Sequence, residues 1–194
     1  MKFFNVNEQK ESEEQEMTNL KEEKCLIAYF SREGNNYVSG KIVNLSTGNT
    51  KVVANMIQEM AEGDVFRIDT VKSYPKDYTA TTNVAEKELH DNARPELSNH
   101  AENMDSYNVI FLGYPNWWGT MPMPVFTFLE EYDFSGKTIV PFCTHEGSGL
   151  GRSEKDIAKL CPKATLLEGL AIHGSRVSAA KRDVADWLSK IGVI

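Results

Sequence analysis

No stretch of the chain approaches the roughly 18 consecutive apolar residues that a membrane-spanning helix needs. The first residues, MKFFNVNEQKESEEQEM, lack an apolar core and a small-residue cleavage site, so no signal peptide is expected and the cytoplasm is the expected location. Cysteine is scarce. Cys25, Cys143 and Cys161 are odd in number, lack metal-ligand spacing and lie beside apolar runs, which predicts buried reduced thiols rather than a disulfide frame or a metal site. No stripe of basic residues appears, which argues against nucleic-acid binding. No Gly-Lys-Ser/Thr stands at the offset a Walker loop requires, and no Gly-x-Gly-x-x-Gly marks a dinucleotide fold. A hydrolase elbow would need glycine two residues before Ser148, where Glu146 stands.

What remains is an ordinary globular composition over 194 residues, 41% hydrophobic and 25% charged, enough for one α/β domain with a real core. The net charge of −7 is uneven. Residues 1–23 hold seven acids and three lysines, a net −4, which leaves −3 for the other 171. That segment reads as a charged, disordered or loosely helical tail. The body is only mildly acidic.

Five apolar runs predict strands at 25–31, 64–71, 108–114, 137–145 and 164–172. The first, third and fourth are almost continuously apolar, as strands covered on both faces should be. Between them lie helical patterns. TKVVANMIQEMAEG carries Val53, Met56, Ile57 and Met60 at helical spacing, with Gly63 as a stop. A more polar helix is predicted over 78–92, and one over 123–133 follows two prolines. RSEKDIAKLCP offers Ser153 as a cap, and the segment 178–192 closes the chain with Val184, Trp187, Leu188 and Ile191 on one face. Strict β/α alternation predicts parallel strands with helices on both faces, in the order 2-1-3-4-5. Ligands of such sheets bind beyond the carboxyl ends of the strands.

Two stretches near the first strand end compete as an anion loop, REGNN at 32–36 and STGNT at 46–50. An anion loop works through backbone N–H groups and the positive end of a helix, so it must lead straight into one. STGNT does, because the stripe of KVVANMIQEM begins at once. REGNN runs instead into YVSGKIVNL, which alternates like strand, and its Glu33 would oppose an anion. As a turn and helix cap alone STGNT is common; its place at the first β-to-α junction makes it informative.

These residues resemble the flavodoxins, whose first strand is followed by Ser or Thr, any residue, then Thr-Gly-Asn-Thr and a helix. Here the pattern is split. Ser31 supplies the first hydroxyl, Thr47, Gly48, Asn49 and Thr50 the rest, and residues 33–46 form an insert that reads as a hairpin turning at Ser39-Gly40. The resemblance spans about residues 24–192. It implies a flavodoxin-like sandwich and an uncharged cradle for the phosphate of flavin mononucleotide, FMN.

After the third strand comes GYPNWWGTMPMP, and after the fourth CTHEGSGLGRSEKD. Adjacent tryptophans in a Gly/Pro-rich loop are costly to expose and awkward to bury, so a flat aromatic ligand on Trp117 or Trp118 is expected, with core packing as the alternative. The resemblance places Pro115, Asn116, Trp117, Trp118 and Gly119 along the flavin's N5 edge. It places Thr144, His145, Gly147, Ser148 and Gly149 at the pyrimidine edge. His145 is a candidate catalytic residue, through a hydrogen bond to the flavin or a proton shift to substrate, or an ordinary loop histidine. His173 is expected to pack or cap.

Small carrier flavodoxins usually cover the second flavin face with an aromatic from the loop after the fourth strand. Residues 143–156 contain no Phe, Tyr or Trp. That face is therefore expected to be open, or covered by His145 or by Tyr37 of the insert. The resemblance implies an FMN-dependent oxidoreductase passing electrons from NAD(P)H to a quinone or similar acceptor. The alternatives are an electron carrier serving redox protein partners, and a non-flavin phosphate binder on the same fold. Nothing in the sequence sets the oligomeric state.

Overall fold

The computed structural model describes residues 20–194. The tail expected before residue 24 lies, up to residue 19, outside the described residues. Residues 20–22 form a 3-10 turn, and Leu20 is buried in the core.

The sheet is built on β1 (Cys25–Tyr29), β4 (Asp64–Arg67), β5 (Val109–Pro115) and β6 (Thr138–His145), completed by the short β7 (Thr165–Leu166) and β8 (Leu170–His173). All pairs are parallel, in the order β4-β1-β5-β6, with β7 and β8 both on the far side of β6. Counting β7 and β8 as one strand, this is the expected 2-1-3-4-5 order and the flavodoxin-like sandwich. Every residue of β1, and every residue of β5 from Val109 to Tyr114, is buried, which explains their unbroken apolar runs.

Helices α1 (Asn49–Ala61) and α5 (Lys181–Lys190) cover one face, packed on Ile27, Phe111 and Phe142. α2 (Tyr78–His90), α3 (Met123–Glu131) and α4 (Ser153–Leu160) belong to the other. There Phe128, Leu129 and Ile157 pack with Leu26, Ile110 and Leu112. No helix among the described residues is long and apolar enough to cross a membrane. All three cysteines are buried and free.

Three local expectations are corrected. The fifth strand is not continuous over 164–172. Thr138 pairs with Thr165, but Phe142 pairs with Leu170, so one extra residue lies in the outer strand. Thr138 donates to Asn108 O, and Ile139 accepts from Leu167 N–H. The amide of residue 141 would thus face the outer strand, but Pro141 has none, and the ladder breaks there into a bulge. The second strand stops at Arg67 rather than 71, because its partner β1 ends at Tyr29 and Ile68 N–H makes the last bond to Tyr29 O. Ser153 does not cap α4. Its buried hydroxyl donates to Leu150 O at 2.6 Å and is 2.8 Å from the Tyr114 hydroxyl.

The stop after α1 also works differently from the sequence reading. Glu62 takes the left-handed conformation, φ 53°. Gly63 is needed instead for space, since a Cβ there would lie 2.6 Å from Cys25 Sγ.

Candidate functional site

At the carboxyl ends of β1, β5 and β6 the structure holds a cavity of about 520 Å³. Its floor comes from Ser31, Asn49, Thr50 and Thr144, one wall from Pro115 to Trp118, another from His145, Glu146 and Ser148.

At the floor the two halves of the split loop meet in space. A Cβ on Gly48 would lie 2.3 Å from Ser31 Oγ and 2.5 Å from Arg32 O, so the chain before the insert and the chain after it touch at this glycine. Gly48 caps α1 in an extended conformation. Ser31 Oγ accepts from the Lys51 amide, and Gly48 O accepts from that of Val52. The Asn49 and Thr50 amides, which no helical carbonyl can reach, have no backbone acceptor among the described residues. Thr50 is buried with its hydroxyl 2.8 Å from that of Thr144. Free first-turn amides ringed by uncharged hydroxyls suit a phosphate monoester. Thr47 is not among the residues that line the cavity.

REGNN runs into a strand rather than a helix, although its Arg32 and Asn36 border the cavity. Glu33 makes a two-pronged pair with Arg67, at 2.8 and 3.0 Å, and this partner holds its carboxyl below the usual range. Arg32 donates to the carbonyls of Asn35, Pro75 and Lys76. Residues 34–45 form an antiparallel hairpin of β2 (Gly34–Val38) and β3 (Lys41–Leu45).

The tryptophans differ. Trp117 is half-buried and meets Phe30 and Tyr74 edge-on, with centroids at 5.3 and 5.2 Å. Trp118 is 49% exposed, and its indole N–H donates to Thr82 O on α2. Trp117 and Thr120 close a two-residue turn with bonds of 2.8 and 3.2 Å. Its central residues, Trp118 and Gly119, both have positive φ, 54° and 82°. Asn or Gly usually occupies the first such position. A tryptophan there costs about 1–3 kcal/mol of backbone strain, and its ring remains exposed in the cavity wall. Core packing therefore accounts for Trp117 and not for Trp118.

Gly119, Gly147 and Gly149 do not line the cavity; they shape the loops that do. Gly119 N–H donates to Asn116 Oδ1, and Asn116 donates to Gly149 O. Gly151, at φ 59°, sits where a Cβ would fall 2.2 Å from Gly119 O, and Arg152 N–H bonds that same carbonyl. The loops after β5 and β6 are thus one assembly.

His145 lines the cavity and accepts from Gly147 N–H through Nδ1 at 2.9 Å. The bond assigns its proton to Nε2 in the neutral form. Burial, aided by neighbouring His173, lowers its pKa, against the opposing pull of Glu146. A histidine shifted down binds less proton folded than unfolded. Its contribution is complete above the ordinary value of about 6.5 and declines as pH falls through it. We expect melting temperature to fall on acidification through that range, and His145→Gln to lose less than the wild type over the same interval. Parallel curves would contradict this. His173 caps the next 3-10 turn, its ring accepting from Ser175 N–H.

Sequence reasoning missed one wall. Tyr78, Thr81, Thr82 and Ala85 of α2 all line the cavity. They recur at i, i+3, i+4 and i+7, one face of a helix. That spacing is the signal, though two threonines in it hide it from a hydrophobicity reading. Arg32 and Asn36 were also missed as lining residues.

The flavodoxin family model matches residues 24–191. No curated protein sequence matches the chain. Among solved structures, one assigned as a flavoprotein from Bacteroides eggerthii DSM 20697 is 30% identical, covers 89% of this chain and 99% of its own, and superposes with a TM-score of 0.72. A second, similarly assigned, from Bacteroides uniformis ATCC 8492, is 26% identical over 86% and 98%, with a TM-score of 0.66. A flavoprotein in complex with FMN from Lactobacillus acidophilus NCFM shares the fold at 20% identity, covering 81% and 97%, with a TM-score of 0.59. With the split Ser31…Thr-Gly-Asn-Thr loop rejoined at the head of α1 and the match running through nearly every element of the sheet, the chain is a member of the flavodoxin family.

Proposed function

We propose that the protein binds FMN and acts as an oxidoreductase, taking electrons from NAD(P)H and passing them to a quinone or similar planar acceptor. The observation that carries the reading is Trp118: a large ring held at positive φ, exposed in the wall of a cavity whose floor offers free helix amides and hydroxyls. The residues fit the group. Asn49 and Thr50 amides with Ser31 and Thr50 hydroxyls would hold the phosphate, and Trp118 would lie on the ring. Ser148 and the neutral Nε2–H of His145 would offer donors to the ring's polar edge. When bound, FMN supplies the redox chemistry, and the chain binds it, orients it and limits its contact with water.

An electron carrier on the same scaffold remains the second reading, favoured by the hairpin that narrows access to the cavity. Steady oxidation of NADH or NADPH coupled to quinone reduction supports the enzyme. FMN binding without any such turnover leaves the carrier.

The visible spectrum of purified protein tests the cofactor first, by flavin bands released with acid. The tryptophans are tested separately. Trp118→Ala should weaken FMN by about 0.5–1.5 kcal/mol and restore fluorescence to the bound flavin, because stacking quenches it. Trp117→Ala should instead lower thermal stability, through the lost contacts with Phe30 and Tyr74. Reversed effects would assign the stacking to Trp117.

A further inference from the structure

A two-stranded hairpin is marginally stable alone in water, yet the β2–β3 insert is tied at both ends. At its base, Arg32 grips Asn35 O and the loop at Pro75–Lys76, while Glu33 pairs with Arg67. At its tip, the Ser39 amide donates to Glu146 Oε2 at 2.8 Å, across 107 residues of sequence. Glu146 belongs to the opposite cavity wall. The hairpin therefore bridges the cavity mouth. From it Tyr37 reaches into the lining and stacks near-parallel on Tyr78 of α2, with centroids at 6.1 Å and planes at 27°. Tyr37 is still 42% exposed. One turn along α2 from Tyr78 lies Thr82, whose carbonyl holds the Trp118 indole. Tyr37 and Trp118 thus both rest on α2, at points about one turn apart along it.

We propose that the inserted hairpin is a lid, and that Tyr37 is the ring it lays against a planar ligand in the cavity, shutting water from it. Glu146 is the latch. Its other oxygen, Oε1, is buried beside Gly174 without a hydrogen-bond partner among the described residues, so the carboxylate is held in place with Oε2 turned to the hairpin. The inference rests on the FMN reading. It assigns the insert a direct role in retaining the cofactor.

The test uses FMN-loaded protein and reads two quantities besides turnover: the rate of FMN release on dilution, and the vibronic structure of the flavin's long-wavelength band, which sharpens away from water. Tyr37→Ala should speed release by roughly three- to tenfold, the size of one aromatic contact, and blur the band. Tyr37→Phe should match the wild type. Glu146→Ala should speed release as well, by loosening the tip. Deleting residues 33–46, which joins Arg32 to Thr47 as an uninterrupted Ser-Arg-Thr-Gly-Asn-Thr loop, should leave a folded protein that releases FMN at least as fast as Tyr37→Ala. If FMN binds and Tyr37→Ala leaves both readouts at wild-type values, the lid is refuted while the cofactor reading stands. If the wild type binds no FMN, the cofactor reading fails and the lid's assigned ligand with it.

Discussion

Gly48→Val is expected to abolish FMN binding while leaving the fold in place. The backbone at Gly48, φ −67° and ψ 145°, is open to any residue, so strain is not the mechanism. Space is. Any side chain there begins 2.3 Å from Ser31 Oγ and 2.5 Å from a backbone carbonyl. Either the end of β1 or the start of α1 must move. Both movements separate the Ser31 hydroxyl from the first-turn amides. A hydrogen bond to a charged group is worth about 1.5–3 kcal/mol, and losing two of them lowers affinity by about 100-fold or more. The buried side of α1, Val53, Ala54 and Ile57, lies further along and should hold the helix. Calorimetric titration with FMN and far-ultraviolet circular dichroism read the two halves of the expectation. Unchanged affinity would remove the loop from the site. The companion substitution Thr50→Ala should weaken binding and strand the Thr144 hydroxyl, while Thr47→Ala should have little effect.

The second large effect concerns stability. Gly113 lies in β5 between Tyr29 on β1 and Phe142 on β6, and the Phe142 ring lies over it. A Cβ at Gly113 would sit 2.1 Å from Phe142 Cζ and 2.3 Å from Cε2. Phe142 is fully buried among Phe111, Trp187 and their neighbours and has nowhere to go. Overpacking of this kind costs about 1–3 kcal/mol. Gly113→Ala should fall at the upper end, a drop in melting temperature of roughly 6–12 °C for a domain this size. Adding Phe142→Leu should recover part of the loss, since the two changes share one volume. A melting temperature equal to the wild type's would mean that the sheet can shift there at no cost.

Much of the architecture was legible because its causes are local. Continuous apolar runs mark β1, β5 and β6, since strands covered on both faces leave no polar positions. The choice of STGNT over REGNN followed from what comes next in the chain, a helical stripe in one case and an alternating segment in the other. The bulge opposite Pro141 was not legible. It depends on which neighbour the missing amide would have faced, a property of strand alternation in the folded sheet. The Ser153 cap was misjudged because the hydroxyl's partners, Leu150 O and Tyr114, include one 39 residues away.

At the site the division follows the same line. Residue types and spacing alone determined the fold class, the loop that heads α1 and the three segments that converge at the strand ends. These rest on periodicity and on helix-end chemistry, which act within a few residues. Only the tertiary structure distinguished the environments of the two tryptophans, because backbone sign and aromatic neighbours, not composition, separate Trp117 from Trp118. Only it showed α2 as a cavity wall, Arg67 as the partner of Glu33, and the hairpin tip bound to Glu146. Those are contacts between residues 34 to 107 positions apart, set by how the layers pack, and no local pattern encodes them.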